Sequence, residues 1–131
     1  MFFPVISVLQ KIPHLQLDVL DFAQLSYIEQ VYQMQSTDIL IGFHGAGLIQ
    51  ALYLPDRSTV IEMSGGQYSS RQHYYSLCQY LQLSFHRLDV EVINEALPNE
   101  DLQEPLDGIY VDPVSLRAFI LPIVQEIHTR R

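Results

Sequence analysis

Chemistry in this chain concentrates at two places, the run His44-Gly45-Ala46-Gly47 and the acid Glu62. Glycines let a chain turn tightly and expose N–H groups, so an imidazole between them can approach a phosphate together with the backbone. The same histidine can instead brace the turn by a hydrogen bond. For Gly45 and Gly47, turn geometry and ligand approach are compatible roles. Glu62 lies near the end of the apolar run Thr59–Met63, where a carboxylate costs free energy unless it has a partner. It either pairs with an arginine or a backbone cap, or accepts two hydroxyls of a ribose, as acids do in other nucleotide-binding α/β folds.

The elements around these residues follow from pattern. Ile39, Leu40 and Ile41 run without polar alternation, which predicts a central strand buried on both faces and ended by Gly42. Ala46 to Leu54 reads as a helix carrying Leu48, Ile49, Leu52 and Tyr53 and stopped by Pro55. Strand, glycine turn and helix start together aim unpaired N–H donors at the space above the strand end, and a phosphate suits that place. Upstream, a short helix is predicted over Val5–Ile12. Leu15, Leu17 and Val19 alternate as in a strand, and Leu25–Gln35 forms a helix with Leu25, Ile28, Val31 and Tyr32 inside.

Downstream, the turn Asp56-Arg57-Ser58 leads to the strand Thr59–Met63 and the loop Ser64-Gly65-Gly66. A helix over Arg71–Leu81 buries Tyr74, Leu77, Cys78 and Leu81, and Ser84–Leu88 is a further strand. Residues 90–107 are rich in acids and prolines and read as a solvated loop within a single domain. Ile109–Val111 is a short strand. Asp112-Pro113 starts a closing helix over 113–128 that carries Leu116, Phe119, Ile120, Ile123, Val124 and Ile127 and is kinked at Pro122. Alternating strands and helices predict an α/β fold with right-handed crossovers, a mostly parallel sheet sandwiched by helices, and ligands at the carboxyl ends of the strands. The turn 44–47, Glu62 and the loop 64–66 all fall at those ends.

Composition removes several alternatives. The chain has 131 residues, matching one domain, and a net charge of −8 without Lys/Arg runs, which argues against nucleic acid or anionic lipid as partner. The opening apolar run is too short to span a bilayer and lacks a basic lead. The lone cysteine, Cys78, forms no internal disulfide and sits on an apolar helix face as an inert thiol. His14, His73, His86 and His128 lack ligand spacing, so no metal site is expected. Tyr68, Tyr74 and Tyr75 read as loop and core aromatics. The His-Gly-Ala-Gly run is similar to the oxyanion loop of lipases, but without a Gly-x-Ser-x-Gly elbow a serine hydrolase is disfavoured. Neither a Gly-x-Gly-x-x-Gly fingerprint nor a P-loop is present.

Three segments in order, Thr37–Leu48, Leu52-Tyr-Leu-Pro55 and Val60-Ile-Glu62, resemble the C-terminal lobe of glycosyltransferase family 61. Asp21-Phe22 and Glu29-Gln30 fall where that family has a similar pair, and the likeness extends over about Val5–Leu88. The resemblance implies one three-layer, Rossmann-like lobe of GT-B type over residues 1–131, with its sheet incomplete at the N-terminal strand. It implies inverting transfer from a UDP-sugar to a protein- or polysaccharide-linked acceptor, with no obligatory metal or cofactor. His44, Gly45, Ala46 and Gly47 would face the donor diphosphate and Glu62 the ribose; no catalytic base carries over. Ile49 stands where the family commonly has Thr, and Ser64-Gly65-Gly66 where an aromatic or proline is usual. The family's first strand, its donor-binding arginines and its acceptor lobe precede the segment seen here. A donor-type lobe that needs a second lobe, or that self-associates at an open sheet edge, is therefore expected. The alternative is a non-catalytic binding or scaffold module. Relatives work in the secretory pathway, and the chain itself encodes no compartment.

Overall fold

A computed structural model of the chain describes residues 3–65, 70–92 and 109–130. Gly66, Tyr68 and most of the acidic stretch, residues 93–107, lie outside them. In chain order the elements are α1 (Phe3–Gln10), a 3-10 turn (Phe22–Gln24), α2 (Tyr27–Gln35), β1 (Ile39–Phe43), a 3-10 helix (Ala46–Tyr53), β2 (Thr59–Ser64), α3 (His73–Leu81), β3 (Ser84–Asp89), β4 (Glu91–Val92), β5 (Ile109–Tyr110) and α4 (Pro113–Arg130). They group into two compact units, Leu20–Asp89 and the combination of Met1–Val19 with Val90–Arg131.

The unit Leu20–Asp89 is an α/β arrangement around a three-stranded parallel sheet of order β1-β2-β3. Its strands run in phase, with Ile39, Thr59 and Ser84 side by side. The central strand is β2, all six of whose residues are buried. This corrects the expectation for Ile39–Ile41. β1 is an edge strand in which only Leu40 is fully buried, because only β2 flanks it among the described residues. Nor does Gly42 end the strand, which continues to Phe43.

Leu40, Val60 and the partly buried Phe85 stand on one sheet face, and Met34, Leu48, Ala51 and Cys78 from the helices complete this core. The segment after the glycine turn is a 3-10 helix, where an α-helix was expected. Three residues per turn put Leu48 and Ala51 in the core and leave Ile49 and Leu52 nearly half exposed, which an α-helical stripe would not. α2 begins with a capping box, in which the Ser26 hydroxyl accepts from Glu29 N–H and the Glu29 carboxylate accepts from Ser26 N–H. Its expected inner stripe is also corrected, since Ile28 is 77% and Tyr32 73% exposed while Met34 is buried. A polar anchor sets the rotation of this helix. Gln30 Nε2 donates to the carbonyls of Phe22 and Leu25, and Gln30 Oε1 accepts from Gln50 Nε2.

In the other unit α1 packs on α4, burying Val5, Leu9 and Ile12 of the first segment and Leu116, Ile120, Ile123 and Val124 of the second. Asp112 caps α4 by accepting from Ser115 N–H and Oγ–H, and the helix runs past Pro122 to Arg130. Residues 15–19 form no strand. Leu15 and Leu17 are half-buried and their neighbours exposed, so the alternation exists without a partner strand to register it. Glu91–Val92, expected in the acidic loop, pairs antiparallel with Ile109–Tyr110. The rings of His14 and His128 stack with centroids 3.8 Å apart.

Candidate functional site

Equal offsets along three in-phase strands build the site. Gly42, Glu62 and Arg87 are each the fourth residue of their strand and lie side by side, Gly42 against Glu62 and Glu62 against Arg87. Alternation puts them on the same face as Leu40, Val60 and Phe85, one row closer to the carboxyl ends. The apolar core therefore ends in a polar row. Gly42 lets the 3-10 helix pack close: a Cβ there would lie 3.2 Å from Cδ2 of the buried Leu48, which would have to shift by a few tenths of an ångström.

Glu62 is 0% exposed. An isolated carboxylate in that position would be prohibitive, so its partners decide whether the fold tolerates it. Oε2 accepts from Arg87 Nε at 3.0 Å, and Oε1 lies 3.1 Å from His44 Nδ1. The arginine pairing read as one option from the sequence is thus present, with the histidine added to it. Each carboxylate oxygen thus has one of these two partners. The guanidinium also donates to the carbonyl of Arg71, just before α3.

His44 is placed from two directions. Its backbone N–H donates to the Met63 carbonyl at 2.9 Å, continuing the β1–β2 pairing past the strand end, while Glu62 fixes its ring. The 3-10 helix then starts at Ala46 with its first internal bond from Leu48 N–H to Gly45 carbonyl at 3.1 Å, so the N–H groups of Ala46 and Gly47 precede any acceptor within the helix. Among the described residues no side chain caps this start, and none caps α3 at Gln72. The two uncapped starts converge on His44, whose ring lies 5.7 Å from that of His73 and 5.3 Å from that of Tyr74 at the head of α3. Helix dipoles make such ends electropositive.

One further atom belongs to this row. Ser64 follows Glu62 on the same face, is 3% exposed, and its Oγ has no hydrogen-bond partner among the described residues. A buried hydroxyl without a partner marks a place where a ligand or water oxygen fits. The field of Glu62 reaches beyond its bonds. Burial first, and then the Glu62 charge, raise the Tyr74 phenol above its ordinary value, and the same causes push the Cys78 thiol up to about 11. Cys78 is accordingly a buried, unreactive thiol. Among the described residues no group of three His, Cys, Asp or Glu side chains could hold a metal ion, and no helix is long and apolar enough to cross a membrane.

The structure therefore brings His44, the Gly45–Gly47 backbone and Glu62 together. Sequence reasoning missed Arg87 and His73, and placed Ser64 at these strand ends only as part of the loop 64–66. Arg87 and Glu62 have the same offset in their strands, and the in-phase register makes them neighbours.

Comparison with known proteins agrees with the motif reading. Residues 3–61 match the family model for Glycosyltransferase 61. Over that segment the chain is similar to glycosyltransferase family 61. Over 60 residues it is 38% identical to the EGF domain-specific O-linked N-acetylglucosamine transferase of Xenopus laevis and 37% identical to that of Gallus gallus, in each case covering 44% of this chain and 11% of the relative. It is 29% identical over 97 residues to the alpha-1,3-arabinosyltransferase XAT2 of Oryza sativa subsp. japonica, covering 71% of this chain and 16% of that protein. The chain thus spans only a small fraction of the length of these curated relatives. The family-61 match contains the whole His44–Gly47 turn and stops one residue before Glu62.

Proposed function

We propose that the unit Leu20–Asp89 is the nucleotide-sugar donor site of a glycosyltransferase, part of a Rossmann-like lobe of GT-B type that completes its reaction with a second lobe. The carrying observation is the 3.1 Å link between His44 and buried Glu62, which locks the His-Gly-Ala-Gly turn over the carboxyl ends of β1 and β2. There the amides of Ala46 and Gly47, the uncapped end of α3 and the imidazole surround one electropositive notch, suited to the diphosphate of a UDP-sugar. In transfer with inversion these donors would stabilise the charge growing on the leaving diphosphate, a task that metal ions perform in other enzymes. Glu62 serves this site as the anchor of His44 and Arg87.

A second reading, a binding or scaffold module without turnover, is favoured by one observation: the matched segment is only 11% of the first relatives. Calorimetric titration with UDP and UDP-sugars tests the donor reading directly. Saturable heat that disappears in Gly45→Asp supports it. The backbone at Gly45 is extended (φ 170) and a Cβ there would meet only Phe43 O at 3.8 Å, so this variant should keep its fold. Absence of heat with every nucleotide leaves the scaffold reading.

A further inference from the structure

Resting on the donor-site reading, we infer that the two open helix starts divide the diphosphate between them. One phosphate sits on the amides of Ala46 and Gly47. The other sits on the head of α3, where the Ser64 hydroxyl donates to it. Each start presents backbone N–H groups that no side chain caps among the described residues. The starts belong to separate elements and meet at one ring, since His44 lies 5.7 Å from His73 and 5.3 Å from Tyr74. Two phosphates joined through a shared oxygen turn their outer oxygens apart, which suits two sets of donors better than one.

Ser64 is the independent sign on the α3 side. Met63 pairs with Phe43, and His44 N–H reaches the Met63 carbonyl, so Ser64 follows directly beside His44. Alternation along β2 turns Ser64 to the face of Val60 and Glu62, where Tyr74, Leu77 and Cys78 of α3 also pack. Ser64 is 3% exposed there, and its hydroxyl has no hydrogen-bond partner among the described residues. A buried hydroxyl left unpaired is costly, and as a donor it suits a phosphate oxygen. Asp89 stands beside Ser64 on β3 but is exposed, where salt screens its charge. The Arg87 guanidinium, bonded to both Glu62 and the Arg71 carbonyl, holds the lead-in of α3 to this polar row.

The consequence is a site that reads how many phosphates its ligand carries. Two inserted charges test it by calorimetry with UDP, and with UMP directly or in competition with UDP. Gly45→Asp puts a carboxylate at the glycine turn, and Gln72→Glu puts one at the head of α3. UDP should lose about tenfold or more in affinity in each variant, because like charges then face each other. UMP occupies one start only. It should lose as much in one variant and about threefold or less in the other, since exposed charges are screened beyond roughly 8 Å. Gln72→Glu adds negative charge where the helix dipole favours it, so the free protein should melt no earlier. Ser64→Ala removes a hydroxyl without a partner and should keep the thermal midpoint while weakening UDP about tenfold. UDP affinity left unchanged by Gln72→Glu or by Ser64→Ala overturns the division, as does equal loss of UDP and UMP in both charge variants; the donor site then still stands. Binding of neither nucleotide to the unaltered protein overturns both.

Discussion

Two helix starts in the unit Leu20–Asp89 solve the same problem in opposite ways. At α2 the Ser26 hydroxyl and the Glu29 carboxylate satisfy exposed N–H groups from within the sequence. At the 3-10 helix a glycine stands where a capping side chain would be, and no side-chain cap is present among the described residues. The first start spends its donors on stability. The second has no such cap, and it starts beside a histidine held by a buried carboxylate and flanked by the head of α3. A helix end is therefore read by what its cap position lacks as much as by its dipole.

The contrast can be attacked at its support first. Arg87→Met leaves Glu62 buried with only His44 beside it and should cost about 3–5 kcal/mol, read as a lower urea midpoint. Next comes the open start itself. Gly45→Asp places a fixed negative charge among the amides and should weaken UDP binding roughly a hundredfold, given that like-charge juxtaposition costs several kcal/mol, with little change in thermal midpoint. Ser26→Ala attacks the closed start and should cost about 1 kcal/mol of stability while leaving UDP affinity unchanged. If Ser26→Ala altered affinity as much as stability, the division of labour between the two starts would be wrong.

The smallest effect is a pH dependence. The Ser26 backbone N–H and then its hydroxyl hold the Glu29 carboxyl below its ordinary value. A carboxyl depressed in the folded state stabilises at pH above its unfolded value, about 4.3, and that contribution disappears as pH falls through the folded value. Thermal midpoints of wild type and Glu29→Gln should differ near neutrality and converge in acid. Cys78 has the opposite sign. Its raised value, about 11, means stability falls as pH climbs from the ordinary thiol range toward that figure, and the thiol should resist disulfide reagents until the unit unfolds.

Much of this was legible in the chain. The positions of β1, β2, β3 and β5, the stripes of α3 and α4, and the meeting of His44 with Glu62 follow from periodicity and from the rule that sites collect at strand carboxyl ends. The failures share a cause, because short segments state how apolar they are without stating what lies on each side. Ile39-Leu40-Ile41 is apolar enough for a central strand, yet sheet order makes β1 an edge. Ile28 and Tyr32 fit a helical stripe, but the Gln30–Gln50 bond and the carbonyls of Phe22 and Leu25 turn α2 another way. The 3-10 winding after Gly45 was invisible because Leu48, Ile49, Leu52 and Tyr53 share one face at the 3.6-residue period of an ordinary α-helix. Arg87 escaped notice because its meaning depends on register, which appears only once the neighbouring strands are laid in phase.

The bond from Arg87 to the Arg71 carbonyl has a consequence of its own. One planar cation staples the acid beneath the sheet's rim to the lead-in of α3, so the same fork that neutralises Glu62 also tethers the wall beside His44. Lysine would preserve the charge but, as a single ammonium point, could not span both acceptors. A swap that looks conservative on paper would leave the foundation intact and unhitch the wall.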